Sequence, residues 1–186
     1  MSNADNEAQV VERMATLMER VAGQEDLETK SAILGRTPYE VLIVASMIEK
    51  EAKLDEDRPK IARVIYNRLY LGMPLQIDAT LYYGQDRATP FPQLREIDTP
   101  YNSYMHQGLP PTPIANPGRA SIQAALNPAP NPSPGDPVCQ VLPDPTQNCI
   151  YLYYVIANED GGHAFAVTLE QHEANVQRAR DLGLLL

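Results

Sequence analysis

The chain has 186 residues, 44% of them hydrophobic and 21% charged. This fits one domain with a real core and excludes a disordered polyanion or a fibrous repeat. A net charge of −9 repels phosphate backbones at long range, so nucleic acid is not expected as the main partner. No run approaches the roughly 18 apolar residues that span a bilayer. Trp is absent while Tyr occurs 10 times, and rings with a hydrogen-bonding tip suit polar ligands such as sugars or peptides.

Met1-Ser2-Asn3-Ala4 reads as an expression scar, leaving residues 5–186 as a single domain. A helix is predicted over residues 5–22, because Val10, Met14, Leu17, Met18 and Val21 recur at three- and four-residue steps. Residues 23–30 are polar and acidic and read as a loop, which makes 5–30 a helical arm. Thr37, Pro38 and Glu40 form a compact start signal of cap, first-turn proline and capping-box acid. That helix is expected to reach about residue 53. Pro59 opens another, with Ile61, Val64, Ile65, Arg68 and Leu69 on one side and Gly72 as a left-handed stop.

Residues 73–78 lose the helical period, and 79–84 suit only a short turn of helix. Residues 89–118 carry too many prolines for regular structure, and read as a long ordered loop docked by Tyr101, Tyr104, Leu109 and Ile114. A short helix is expected over 120–126. Strands at 151–157 and 163–167 make a hairpin, and Thr168 with Gln171 caps a last helix whose inner side carries Leu169, Val176, Ala179 and Leu182. The expected class is α+β: a helical N-terminal part packed with a small antiparallel sheet and long Pro-rich ordered loops.

Cys139 and Cys149 lie in a second Pro-rich stretch. Their spacing excludes a CxxC redox pair, and two thiolates without histidines at ligand spacing leave a metal site incomplete, so no metal is expected. The pair reads as a disulfide closing a surface excursion, with two unpaired thiols as the alternative. A persistent disulfide implies an oxidising, extracytoplasmic compartment.

The chemistry centres on residues 41–52. At about 100° per residue, Val41, Val44, Ala45, Ile48 and Ala52 share one face and Lys50 points away from it. Glu49 and Glu51 fall on opposite edges of that face, where partial desolvation raises a carboxyl's pKa as a general acid requires. Two solvated flanking glutamates are the plainer alternative, and the pattern does not choose between Glu49 and Glu51.

The stretch from Ala45 to Ala52 (Ala45-Ser46-Met47-Ile48-Glu49-Lys50-Glu51-Ala52) resembles the signature of the endolytic murein transglycosylase family (MltG, or YceG-like). The resemblance continues in order through Asn67-Arg68-Leu69, the stretch from Gly72 to Gly84, Tyr101-Asn102-Ser103-Tyr104, the stretch from Gly108 to Gly118, Tyr151-Leu152-Tyr153-Tyr154-Val155 and Gly161-Gly162-His163-Ala164-Phe165. Relative to the family pattern, residues 131–149 look like an insertion, and Gln171-His172-Glu173 departs from it, so no catalytic role is carried onto that stretch.

The resemblance implies a peptidoglycan lytic transglycosylase. Such an enzyme cleaves the bond between N-acetylmuramic acid and N-acetylglucosamine within glycan strands and leaves 1,6-anhydromuramic ends. It implies Glu49 as the acid that then serves as base, and no cofactor. Gln76, Asp78, Thr80, Tyr83, Tyr101, Asn102, Tyr104, Asn116 and His163 are expected to line the glycan groove, with turn-pinning or core roles as their alternatives. Glycan strands are the implied partner, together with cell-wall synthases. The implied location is the extracytoplasmic face of the cytoplasmic membrane, reached only through an N-terminal anchor outside this sequence. The alternative is a non-catalytic strand-binding or scaffold module of the cell-wall synthesis machinery.

Overall fold

A computed structural model describes residues 6–86, 88–144 and 149–185; the expected scar at residues 1–4 lies outside them. Helix α1 (Glu7–Gln24) starts from Asn6, whose side chain accepts from the Gln9 N–H while Gln9 reaches back to the Asn6 N–H. Its Val21 is buried, but Met14 and Leu17 are exposed, so the arm meets the body mainly by its C-terminal end. Residues 23–30 are not simply a loop. Asp26 turns the chain in the left-handed region (φ 54°), and α2 (Leu27–Ile33) follows, held by buried Leu27 and Ser31.

Helix α3 (Pro38–Glu51) begins at the predicted box: Glu40 N–H donates to Thr37 Oγ1, and Thr37 N–H donates to Glu40 Oε2. Val41, Ile43, Val44, Ala45, Ser46, Met47 and Ile48 are all buried, so α3 is surrounded rather than amphipathic. Each large aliphatic side chain so enclosed contributes about 1.5–3 kcal/mol. The one buried hydroxyl among them is satisfied, because Ser46 donates to Ile43 O (2.7 Å) and accepts from the Ile114 N–H (3.0 Å). Helix α4 (Arg58–Tyr70) packs beside it and stops at Gly72 (φ 64°), where the Met73 N–H closes back on Arg68 O.

The predicted irregular segment contains α5 (Asp78–Leu81) and, against expectation, α6 (Phe91–Glu96). Pro90 and Pro92 do not prevent α6, because the first turn of a helix has no intrahelical N–H bond to lose, and buried Leu94 anchors it. Helix α7 (Arg119–Leu126) packs across α3 and α4 and completes the main core.

Strands β1 (Tyr153–Ile156) and β2 (His163–Ala166) pair antiparallel, Tyr153 opposite Ala166 and Ile156 opposite His163. Helix α8 (Leu169–Asp181) lies against this hairpin, capped by Thr168 and Gln171 as expected. Ala179 is its buried contact, while Leu169 and Leu182 at the helix ends are exposed rather than inward. The Cys139–Cys149 disulfide is formed. Fully buried Cys139 joins Val64, Tyr151 and Val167 in a second, smaller core, and Gln171 donates to Val138 O. The excursion is therefore docked, not merely superficial. The α+β class stands: a helical body carrying a two-stranded antiparallel sheet.

Candidate active site

Two cavities, about 760 and 420 Å³, meet along a shared edge formed by Glu51 and Asp78. Tyr82, Tyr83 and Gln85 help to line the first; Arg68, Gln76, Tyr104, Tyr154, His163 and His172 help to line the second. A carboxylate at the junction of two polar, tyrosine-lined hollows can act on a chain that lies across both.

Glu51 is the last residue of α3. Its Oε1 accepts from the Ala79 N–H (3.3 Å) and its Oε2 from the Tyr154 hydroxyl (3.2 Å). Burial, reinforced by the charge of Asp78, pushes its carboxyl up to about 7, against the opposing pull of those two donors. Asp78 accepts from the Tyr104 hydroxyl at 2.5 Å, and the Arg95 guanidinium lies 4.5 Å from the centre of the Tyr104 ring. Burial raises the Asp78 carboxyl also, while the bond from Tyr104 and the charge of Arg95 hold it down.

Gln76 has a left-handed backbone (φ 52°), a conformation that costs a non-glycine residue about 1 kcal/mol or more. Neighbours hold it there. Its N–H donates to Ser103 O, and its Oε1 accepts from Arg68 Nη1. Arg68 is itself buried and donates to Leu152 O, Pro74 O and Leu75 O. Tyr83 is exposed along the first cavity, its ring 4.6 Å from that of Tyr101. Tyr101 stands behind, with its hydroxyl bonded to Thr112.

Glu49 serves other neighbours. Its Oε2 accepts from the Gly118 N–H (3.1 Å) and the Ser121 hydroxyl (2.6 Å), with Arg58 Nη1 at 3.5 Å. The carboxylate thus sits at the N-terminus of α7, where free N–H groups favour a negative charge, and it borders neither cavity. Its geometry is that of a clasp between α3 and α7.

Of the expected groove residues, Gln76, Asp78, Tyr83, Tyr104 and His163 border the cavities. Thr80 does not: it is fully buried, and its hydroxyl is engaged with Ile77 O and Ser103 Oγ. Asp78 opens a turn of helix, which carries Thr80 inward instead of toward the cavities. Asn102 is also buried, donating to Arg95 O and Ile97 O and accepting from the Tyr104 N–H, so it pins turns. Asn116 is exposed and borders neither cavity. Sequence reasoning missed Arg68, Tyr154 and His172 as lining residues. Arg68 and Tyr154 stood inside the recognised blocks, and His172 lay in the stretch set aside as departing from the family pattern. Among the described residues no three His, Cys, Asp or Glu side chains gather as a metal site, and no helix is long and apolar enough to cross a membrane.

The sequence pattern of the YceG-like family matches residues 1–178. The chain is 41% identical over 136 residues to an endolytic murein transglycosylase of Bacillus subtilis (strain 168), covering 72% of this chain and 32% of that protein. It is 34% identical over 147 residues to an endolytic murein transglycosylase of Streptococcus pneumoniae serotype 2, covering 75% and 23%. The chain thus spans about a third or less of these curated relatives. Its fold is similar to the crystal structure of a YceG-like protein from Listeria monocytogenes, with a TM-score of 0.71 and 31% identity over 94% of this chain and 50% of that one. With residues 1–178 matched, from α1 through the hairpin and into α8, this chain belongs to the YceG-like family.

Proposed function

We propose that the chain carries a peptidoglycan lytic transglycosylase site with Glu51 as acid and then base. The observation that supports this most is a carboxyl raised to about 7 on the edge shared by two cavities. A carboxyl still protonated near neutrality can protonate the leaving oxygen between N-acetylmuramic acid and N-acetylglucosamine. The C1–O bond breaks, and positive charge develops at C1 and the ring oxygen. The resulting Glu51 carboxylate takes the proton of the muramic C6 hydroxyl as that oxygen bonds to C1, leaving a 1,6-anhydro end and regenerating the acid. The nucleophile is tethered to the reacting ring, so no water or second catalytic carboxylate is consumed. Asp78, anchored by Tyr104 and sharing the cavity edge with Glu51, is proposed to offset the developing cation with its charge.

Glu49 was the acid implied by the resemblance. Its engagement with Gly118 and Ser121 supports a holding role, and the cavity edge at Glu51 supports proposing the acid two residues on. Gln76, Tyr83 and Tyr104 are proposed to bind sugar hydroxyl, acetamido and ring faces, with His163 beside them. The glycan strand is the proposed partner. Cell-wall synthases are the proposed protein partners, and a buried disulfide supports work on the extracytoplasmic side of the cytoplasmic membrane.

The test is digestion of purified peptidoglycan followed by mass analysis of the ends. Anhydromuramic ends that disappear with Glu51→Gln and persist with Glu49→Gln are expected. Reducing ends would make the enzyme a hydrolase. Strand binding with no product, unchanged by Glu51→Gln, would make the chain a binding module.

A further inference from the structure

Asp57 occupies the N-cap position of α4, where an Asp side chain ordinarily accepts from the first free N–H groups of its own helix. Here it does not cap α4. Its Oδ2 accepts instead from the His163 backbone N–H (2.8 Å) and lies 2.9 Å from Nδ1 of the same residue. Both side chains are deeply placed, with exposures of 9% for His163 and 10% for Asp57. An oxygen that already accepts a backbone N–H presents lone pairs, so the ring nitrogen facing it is the one that carries hydrogen.

For a neutral ring the other nitrogen follows. In a neutral imidazole with Nδ1–H, Nε2 is a bare acceptor. Nε2 has no hydrogen-bond partner among the described residues, yet it is not among the buried polar atoms left without one. It therefore reaches open space, and His163 borders the second cavity. The ring cannot swing freely, because it meets Tyr154 edge-on at 5.5 Å and 82°, and Tyr154 is the donor to Glu51.

We propose that Asp57 is a positioning residue. It fixes His163 as the Nδ1–H tautomer and presents the bare Nε2 to the groove, where it accepts a hydrogen bond from a hydroxyl or acetamido N–H of the glycan strand. This rests on reading the groove as a glycan site. A purely structural pairing would only fasten β2 to residues 52–57, and the tautomer would have no bearing on substrate.

The experiment is nitrogen-15 NMR of the His163 ring in the full chain, with and without soluble uncrosslinked glycan strands, alongside kinetics of Asp57→Asn and His163→Ala. Expected are hydrogen on Nδ1, a bare Nε2 whose resonance moves when strands are added, and a mixture of tautomers in Asp57→Asn. KM in Asp57→Asn should rise about tenfold, the worth of one well-made hydrogen bond, with kcat changing far less. In the double variant KM should match that of His163→Ala, since Asp57 acts through the ring. Hydrogen on Nε2, or strand-induced shifts at Gln76 and Tyr83 with His163 silent, would overturn this proposal and leave the glycan groove standing. No strand-induced shift at any of the three would overturn both. Should Asp57→Asn fail to fold, the wild-type ring spectrum and its response to strands decide alone.

Discussion

Glu49 and Glu51 stand two residues apart on α3 and serve different neighbours: Glu49 accepts from Gly118 and Ser121 at the start of α7, and Glu51 from Ala79 and Tyr154 at the meeting of two cavities. Successive odd positions on a helix point about 200° apart, so one carboxylate is built into the scaffold and the other into the groove. Glu49→Ala is expected to lose about 1–3 kcal/mol of stability, the cost of orphaning charge-assisted partners. Chemical denaturation would measure this. Glycan cleavage per folded molecule should stay within a few-fold of the parent.

Glu51→Gln should reduce release of anhydromuramic products by about 10²–10⁴-fold, the usual share of a general acid. The same change should alter stability with a definite sign. The Glu51 carboxyl is raised from 4.5 to about 7, so between those values the folded chain holds a proton that the unfolded chain has lost. Stability present below about pH 4.5 is therefore lost as pH rises through about 7, by roughly 3 kcal/mol at most. Denaturation midpoints should place Glu51→Gln above the parent at pH 8 and level with it at pH 4.

The pH–rate profile should move in opposite directions for two neighbours of Glu51. Tyr154→Phe removes a donor that favours the ionised carboxylate, so the alkaline limb of kcat/KM, set near 7 by Glu51, should move upward. Asp78→Asn removes a like charge that disfavours ionisation, so the limb should move downward, with a lower maximal rate. Profiles between pH 5 and 9 would read both shifts. Equal profiles in the two variants would detach the limb from Glu51.

Cys139→Ser with Cys149→Ser should cost about 2–3 kcal/mol, the value expected for closing a loop of this length. Because Cys139 sits in the small core with Val64, Tyr151 and Val167, the loss should loosen the hairpin and α8 first. Hydrogen exchange would show amides of β1 and α8 losing protection before those of α3.

Local structure was legible wherever a signal and its partner lie within one turn. The boxes Thr37–Glu40 and Thr168–Gln171, the stop at Gly72 and the hairpin all formed where those residues direct. The site was less legible because its decisive contacts join distant segments. A helical wheel compares one apolar face with one polar face, but α3 is enclosed on nearly all sides, so Glu49 and Glu51 both looked like edge residues. Thr80 and Asn102 carry groups suited to sugars, yet their bonds to Ser103 and to Arg95 and Ile97 consume them. Nothing in a local pattern records such a partner. The α2 segment was missed for a related reason: seven residues with two buried side chains give too little periodicity to distinguish a helix from an acidic loop.

Arg68 draws Pro74, Leu75, Gln76 and Leu152 onto a single guanidinium. Pro74, Leu75 and Gln76 lie 6, 7 and 8 residues along the chain from Arg68, whereas Leu152 lies 84 residues away. The turn at residues 74–76 can close on Arg68 early, but the second hollow is complete only once the distant residue 152 is delivered to the same guanidinium.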